Sequence, residues 1–231
     1  MSTFRFNKPK AALLRQQISD EIRQAILTGK LKPGEKLREV DISEQMGVSR
    51  SSVREALLLL KQEGLVLSRP YKDTIVMQYS KREIEEVLLP IRLTTELFAA
   101  RNGIQNLTEE DIVTFSSYIQ AMKTTIESET LERNDKQAIV MENDIAFHNH
   151  LVQLCDSENI HSIWNGIVNP IRLYFIEMRE YEDLMDLQWS EHQYLLDTFR
   201  GGDIAQIEQA LKRHIRGEYY AENGKEFPFA R

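Results

Sequence analysis

The chain has 231 residues, which is enough for one large domain or two modest ones. Hydrophobic residues make up 42% of it, a share that excludes a globally disordered chain. No apolar run approaches the length needed to cross a bilayer, and residues 1–10 lack the apolar segment of a secretion signal. Since the single cysteine cannot form a disulfide within the chain, we expect a cytoplasmic protein without membrane contact.

Charge is divided unevenly along the sequence. Residues 1–79 contain 14 Lys and Arg against 9 Asp and Glu, whereas residues 80–231 contain 15 against 27. The overall net charge of −7 therefore conceals an N-terminal part of +5 and a remainder of −12. This asymmetry indicates that the N-terminal part faces a polyanion.

The N-terminal third predicts three helices and a hairpin. Apolar side chains at helical spacing predict a helix over 11–27, and a short second helix over 39–46 stops at Gly47. Ser49 can cap a third helix that runs to about residue 63, and strands at 65–68 and 74–77 follow. This order is the plan of a winged helix-turn-helix, which we place at residues 1–78.

The third helix separates an apolar face from a basic face. Val53 and Leu57 share the side that can pack on the preceding helix, and Arg50 and Arg54 share the opposite side, near the helix N-terminus. Two arginines alone are more often a solvated helix face, but these follow the turn in the cationic part of the chain. Which arginine reads a base and which holds a phosphate stays open. We expect these residues to contact double-stranded operator DNA: Ser49, Arg50, Ser51, Ser52, Arg54 and Lys72.

The rest of the chain is almost purely helical in pattern. Pro90 and Pro170 fall inside helical segments and are expected to kink or divide them. The fold class is therefore mainly α, with a C-terminal all-α bundle of six to seven helices over residues 79–231. Helices are predicted near 81–101, 108–127, 134–155, 159–178, 184–200 and 203–222.

Four ionisable side chains lie on the apolar stripes of this bundle. Asp144 and His148 are four residues apart and project from one helix face, while His192 and His214 lie on the inward stripes of two later helices. A lone histidine in such a place is usually a hydrogen-bonded core residue. Burying all four unpaired would cost several kcal/mol, so we expect a divalent metal between them. Zinc is the first choice, with nickel and manganese as alternatives.

A carboxylate ligand at such a metal would also need a guanidinium. Arg92 and Arg172 lie on or beside inward stripes, and either could clamp a carboxylate with two hydrogen bonds. The alternative for Arg92 is a salt bridge to Glu96, one helical turn away. His150 and His161 face away from the stripes and are expected on the surface.

The N-terminal pattern resembles the GntR superfamily of bacterial regulators over residues 11–77. Two positions differ from that family: Val40 stands where many members have Arg, and Asp73 stands at the wing tip where Gly is usual, so the contribution of the wing is left open. The resemblance rests on Gly29, Leu31, Pro33-Gly34, Leu37, Glu39, Met46-Gly47-Val48-Ser49-Arg50, Val53-Arg54-Glu55-Ala56-Leu57 and Glu63-Gly64-Leu65-Val66.

The C-terminal pattern resembles the FCD ligand-binding domain of the FadR branch over residues 82–220. The matching residues are Asp144, Phe147, His148, Glu191-His192, Gly202-Asp203, Ala210 and His214. The resemblance implies that Asp144 and the three histidines bind a metal and that the ligand is a small carboxylate metabolite.

Three functions are compatible with these features. The first is a homodimeric, metabolite-responsive transcription regulator without enzymatic activity, expected from its resemblance to be a repressor released by ligand. The second is a metal-dependent enzyme fused to a DNA-binding domain, for which Glu191 is the single candidate base. The third is an architectural DNA protein with a structural metal.

Overall fold

The computed structural model describes residues 11–68, 73–177 and 185–218, and contacts divide the chain into two compact units, Met1–Gln78 and Tyr79–Arg231. The chain is mainly helical, as its periodicity predicts. None of the helices in the described ranges is long and apolar enough to cross a membrane.

The first unit contains three helices and a small antiparallel sheet. The predicted hairpin is present, with Val66 opposite Val76, and a third strand pairs Lys36 with Ile75. The sequence did not predict this third strand because two residues are too few for an alternating pattern. The elements are α1 (Ala11–Leu27), β1 (Lys36–Leu37), α2 (Glu39–Met46), α3 (Arg50–Gln62), β2 (Val66–Ser68) and β3 (Thr74–Val76), and the sheet order is β1-β3-β2.

A tight turn between α2 and α3 sets the direction of α3. Gly47 ends α2 in a left-handed conformation with φ 64°, which only glycine adopts without strain. Ser49 then caps α3, because its side chain accepts a hydrogen bond from the Ser52 backbone N–H at 3.1 Å. The predicted apolar face of α3 is buried, and α3 packs against α1 with these residues inward: Val53, Ala56, Leu57 and Leu60.

The second unit is a bundle of helices, and its described segments confirm the all-α expectation. It begins with a capping box in which Ser80 and Glu83 each bond to the other's backbone N–H. The elements are α4 (Lys81–Glu83), a π-helical turn (Ile84–Leu88), α5 (Leu89–Gly103), a 3₁₀ turn (Ile104–Asn106), α6 (Glu109–Glu127), α7 (Arg133–Gln153), α8 (Glu158–Glu177), α9 (Met185–Gly201) and α10 (Ile204–Ile215).

The two prolines behave differently from one another. Pro90 lies in the first turn of α5, directly after the π-helical turn, in which the Leu89 N–H reaches back to the Ile84 carbonyl. A proline ring clashes with the carbonyl four residues earlier, and the wider π turn relieves that crowding. Pro170 lies inside α8, which continues past it to Glu177, so of the two expected effects division of the helix does not occur there.

The last predicted helix is shorter than expected. It was predicted to reach residue 222, but α10 ends at Ile215. Arg216 donates its backbone N–H to Lys212, and Gly217 then takes a left-handed conformation with φ 68°. A glycine in this conformation just past the last turn is a common helix stop, so the prediction was wrong here.

Helix α5 lies at the centre of the second unit. Leu97 and Ala100 belong to one buried apolar cluster together with Phe147 of α7 and Phe199 of α9. Ala99 of the same helix belongs to a second cluster, around Trp164 of α8. Because both sides of α5 are covered, its polar side chains Arg92 and Glu96 are buried as well.

Candidate functional site

The structure brings together the four side chains that the sequence assigned to a metal. Asp144 and His148 come from α7, His192 from α9 and His214 from α10, and all four are buried. One ligand atom from each lies within 4.8 Å of the others. Helix packing alone places His192 and His214 there, because they are distant from α7 in the sequence.

The distances within this cluster are those of neighbouring ligands of one ion. Nε2 of His148 lies 2.9 Å from Nε2 of His214, and Nε2 of His192 lies 3.1 Å from Oδ1 of Asp144. Two ligands that are each about 2.1 Å from an ion and at right angles to each other are about 3 Å apart. This spacing also leaves room for further ligands on the same ion.

Each histidine of the cluster presents its other ring nitrogen to a hydrogen-bond acceptor. Nδ1 of His148 lies 2.8 Å from Oε2 of Glu96, and Nδ1 of His192 lies 2.8 Å from the Gln188 carbonyl oxygen. Nδ1 of His214 lies 3.2 Å from Oε2 of Glu191, outside hydrogen-bond geometry. Metal-binding histidines have such partners, which orient the ring and keep the proton on the nitrogen away from the metal.

This arrangement leaves the atoms at the centre of the cluster as hydrogen-bond acceptors that face other acceptors instead of donors. When each Nδ1 keeps its proton, the three Nε2 atoms carry lone pairs, and these face one another and the carboxylate of Asp144. Nε2 of His192 and Oδ2 of Asp144 are both buried without a hydrogen bond. A cation among the four residues satisfies all of these atoms, so the side chains present fit a divalent metal.

The pKa values of Asp144 and His148 fit the protonation state that a metal needs, whereas that of His192 is shifted the other way. Burial would raise the pKa of Asp144, but the neighbouring His192 and the charge of Arg92 lower it well below its usual range. Burial and the charge of Arg92 lower the pKa of His148. For His192, burial acts downward, but the adjacent Asp144 carboxylate prevails and raises its pKa. Asp144 therefore stays ionised, and His148 stays neutral.

Arg92 lies beside the cluster, and the structure shows the salt bridge considered for it. Its Nε donates to Oε1 of Glu96 at 2.8 Å, so the expected salt bridge exists. Its Nη2 is buried and has no hydrogen-bond partner. Burial would lower the pKa of Arg92, but the charges of Glu96 and Asp144 outweigh it and keep the guanidinium ionised. One edge of this buried cation therefore remains available.

Arg172 does not join this arrangement. Its Nη2 donates to Oε2 of Glu142 at 2.7 Å, and its Nη1 donates to Oδ1 of Asn169 at 3.0 Å. No contact among the described residues links it to the four-residue cluster. His150 also lies apart, but it is half-buried rather than on the surface, because it bonds to Asp111 at 2.9 Å.

Sequence reasoning missed two carboxylates as parts of the site. Glu96 was considered only as a partner of Arg92, and Glu191 only as a base for catalysis. Both are buried, and Glu191 has neither oxygen in a hydrogen bond. Their positions next to Arg92 and His192 were visible in the sequence, but their contacts with His148 and His214 depend on how the helices pack.

The face predicted to contact DNA lies in the first unit, on α3. Arg50 and Ser51 are exposed, and the exposed fraction of the Arg54 side chain is 64%. The hydroxyls of Ser49 and Ser52 lie 2.8 Å apart in the cap of α3. The exposed arginines thus stand at the N-terminal end of a helix whose opposite face is buried.

The wing is described only in part. Lys72, which we expected at its tip, lies outside the described residues. The carboxylate of Asp73 is 2.8 Å from Nζ of Lys36 on β1, and this contact lowers the pKa of Asp73. The negative charge at this position is therefore paired with a cation on the neighbouring strand.

A helix-turn-helix with a β-hairpin, followed by a helical bundle with a buried Asp and three His, defines the class of two-domain DNA-binding transcription regulators. Models of known families agree: "Bacterial regulatory proteins, gntR family" matches residues 14–76, and "FCD domain" matches residues 87–217. The chain belongs to the GntR family of transcription regulators and carries the FCD domain that is typical of its FadR-like branch.

Relatives with curated names are regulators as well. The chain is 28% identical to a probable D-xylose utilization operon transcriptional repressor of Paenarthrobacter nicotinovorans, over 86% of this chain and 84% of the relative. It is 27% identical to the gluconate operon transcriptional repressor of Bacillus subtilis, over 86% and 81%. A crystal structure of a putative GntR regulator from Rhodococcus sp. RHA1 has the same fold, with a TM-score of 0.73 at 21% identity over 92% of this chain and 99% of that one.

Proposed function

We propose that this transcription regulator is a homodimeric repressor that leaves its operator when a small carboxylate binds at a metal in the second unit. The metal would be held by Asp144, His148, His192 and His214. The observation that carries this proposal is the convergence of four buried ligand atoms within 4.8 Å.

Charge balance supports a divalent ion. Three buried carboxylates, those of Glu96, Asp144 and Glu191, surround the site, and Arg92 is the buried guanidinium among them. When all are ionised, the excess is two negative charges, which one divalent cation cancels. Three imidazoles and one carboxylate are donors that suit zinc first, and nickel or manganese as alternatives.

The free edge of Arg92 supports a carboxylate as the ligand. A bound divalent ion would supply a positive charge and an open coordination position to one carboxylate oxygen. Arg92 would donate from its unpartnered Nη2 to the other oxygen and so fix the orientation of the ligand. Arg172 is a weaker candidate because Glu142 and Asn169 already occupy two of its nitrogens.

The first unit would bind DNA through the N-terminal end of α3, with Ser49, Arg50, Ser51, Ser52 and Arg54 as contacts and Lys72 as a further contact from the wing. The exposure of Arg50 and Arg54 supports this role. A homodimer would offer two such helices to two half-sites. Coupling between ligand and DNA is expected to be worth about 1–3 kcal/mol, roughly 5- to 150-fold in affinity.

The test is a DNA mobility assay with the full chain. Zinc-loaded protein is titrated onto its operator, found by selection from a random duplex pool, with and without a panel of small carboxylates. We expect at least one carboxylate to weaken operator binding by fivefold or more, and removal of zinc by a chelator to abolish that response. An affinity that no carboxylate changes would contradict ligand-induced release.

The two other functions give different results in the same preparation. An architectural protein with a structural metal would lose thermal stability with the metal but gain none from any carboxylate. A metal-dependent enzyme would consume the bound carboxylate and lose that turnover on chelation. Glu191 would be its candidate base, and this acid is buried 3.2 Å from Nδ1 of His214 with neither oxygen in a hydrogen bond.

A further inference from the structure

Glu96 connects the guanidinium of Arg92 to the imidazole of His148. Its Oε1 accepts a hydrogen bond from Nε of Arg92 at 2.8 Å, and its Oε2 lies at hydrogen-bond distance, 2.8 Å, from Nδ1 of His148. Its side chain is fully buried, so water does not compete for either oxygen. Both oxygens are therefore engaged, one on each side of the site.

The bond to His148 determines which ring nitrogen can bind a cation. Burial raises the pKa of Glu96, and the adjacent charge of Arg92 opposes this effect. With the Arg92 ion pair formed and Glu96 ionised, its oxygens accept but do not donate, so Nδ1 of His148 carries the ring proton. The lone pair then lies on Nε2, which is the atom that faces His214 at 2.9 Å. If Glu96 did not hold the proton on Nδ1, the proton could move to Nε2 and block that position.

The bond to Arg92 determines which edge of the guanidinium is free. Because Nε is held by Glu96, the side chain keeps a fixed direction, and Nη2 is left buried without a partner. The charge of Arg92 also interacts with those of Asp144 and Glu191, which places it close to the cluster. One carboxylate thus orients both a metal ligand and the group that can hold an anion.

We propose that Glu96 is a positioning residue that sets the His148 tautomer and the Arg92 orientation together. The proposal rests on the metal site proposed above. The two bonds require two acceptors at a fixed spacing, and glutamine, the side chain closest in shape, offers one acceptor and one donor. In Glu96→Gln, either Arg92 or His148 must therefore face an amide N–H₂ group.

The first experiment compares the histidine tautomers of the wild type with those of Glu96→Gln. Long-range ¹H–¹⁵N correlation spectra of the metal-free full chain report the tautomer of each of its five histidines. We expect His148 to carry its proton on Nδ1 in the wild type and to lose this preference in Glu96→Gln. A wild-type His148 with its proton on Nε2 would overturn the proposal.

The second experiment measures the zinc affinity of the full chain by competition with a chromophoric chelator. Loss of a supporting contact typically weakens metal binding 10- to 100-fold. Glu191→Gln is the matched control, because it also removes one buried carboxylate charge near the cluster but breaks no hydrogen bond. We expect Glu96→Gln to bind zinc at least tenfold more weakly than Glu191→Gln.

The two experiments separate this proposal from the proposed function. If the wild type binds no zinc or other divalent ion, the metal site fails, while the tautomer spectra still test what Glu96 does. If the wild type binds zinc and both variants lose affinity equally, the metal site stands and the special role of Glu96 is overturned.

Discussion

Arg54 and Glu39 form an ion pair with two hydrogen bonds between α3 and the start of α2. Nε of Arg54 lies 2.9 Å from Oε1 and Nη2 lies 2.7 Å from Oε2. The hydrogen bonds from Arg54 lower the pKa of Glu39. Arg54 would therefore meet DNA with part of its guanidinium already engaged, whereas Arg50 has no hydrogen bond or ion pair with the described residues.

Arg50→Ala is expected to weaken operator binding by about tenfold or more, because a guanidinium contact to a base is worth roughly 1–3 kcal/mol. Lys61→Ala, at the far end of the same helix, serves as the control and should change little. The salt dependence of binding shows which contact is lost, since a phosphate contact reduces the slope by about one. An Arg50→Ala protein that binds like the wild type would remove this residue from the interface.

Glu39→Gln is expected to raise affinity for unrelated duplex DNA several-fold. The substitution removes the charge that holds Arg54, so the freed guanidinium can reach phosphates in any sequence. Competition between operator and random duplex in a mobility assay measures the resulting loss of specificity. Because the ion pair is exposed, the substitution should leave thermal stability nearly unchanged. Unaltered binding to random duplex would show that the pair does not restrain Arg54.

Arg92→Lys is expected to remove the thermal stabilisation that a small carboxylate gives to the metal-loaded protein. Lysine keeps the charge but cannot hold Glu96 through one nitrogen and the ligand through another. Arg172→Ala is the comparison, and it should retain the stabilisation because Arg172 is engaged with Glu142 instead. The reverse result, with Arg172→Ala losing the response, would assign the ligand to Arg172 on α8 instead of Arg92 on α5.

The double substitution His192→Ala with His214→Ala is expected to abolish metal retention while leaving operator binding measurable. Two of four ligands are lost, and DNA is read by the other unit. Metal content by plasma mass spectrometry after dialysis provides the measurement. His161→Ala is the control, since this half-buried histidine contacts Asn149 outside the cluster. Stoichiometric metal in the double variant would place the site elsewhere.

The sequence predicted the parts of the site that depend on residues close together in the chain, and it did not predict contacts between distant residues. Asp144 and His148 could be assigned to one ion from their spacing, because residues four apart share a helix face. The supporting role of Glu96 could not, since its contact with His148 joins α5 to α7 across 52 positions. Periodicity tells which face of a helix points inward but does not tell which inward residues meet.

The same holds for the fold: elements set by neighbouring residues were predicted, and an element set by pairing with a distant strand was not. Gly47 predicts the turn and Ser49 predicts the helix cap from residue type alone, and the structure has both at these positions. The strand Lys36–Leu37 was missed because it exists only through its pairing with β3. Helix α10 ends at Ile215, next to the left-handed Gly217, seven residues before the predicted end at 222. The prediction was wrong because it followed the helical pattern past this glycine.

Gly103→Ala tests the close packing of α5 against the end of α7. A Cβ at this position would lie 2.6 Å from the backbone carbon and oxygen of Leu154, and backbone atoms cannot move aside cheaply. We expect the substitution to lower the free energy of unfolding by about 1–3 kcal/mol or more, measured by urea denaturation. The cause is overpacking, not helix propensity, because alanine is otherwise the better helix former.

Gly166→Ala in α8 separates these two effects. Beyond its chain neighbours and the backbone of its own helix, no atom of the described residues lies within 4 Å of a Cβ built at Gly166, so the helix-propensity gain remains. This variant should be about 0.5–1 kcal/mol more stable than the wild type. If Gly103→Ala gained stability to the same degree, α5 and the end of α7 could not be in the contact that the structure shows. The position of Arg92 and Glu96 beside the histidines would then need revision, since α5 carries both.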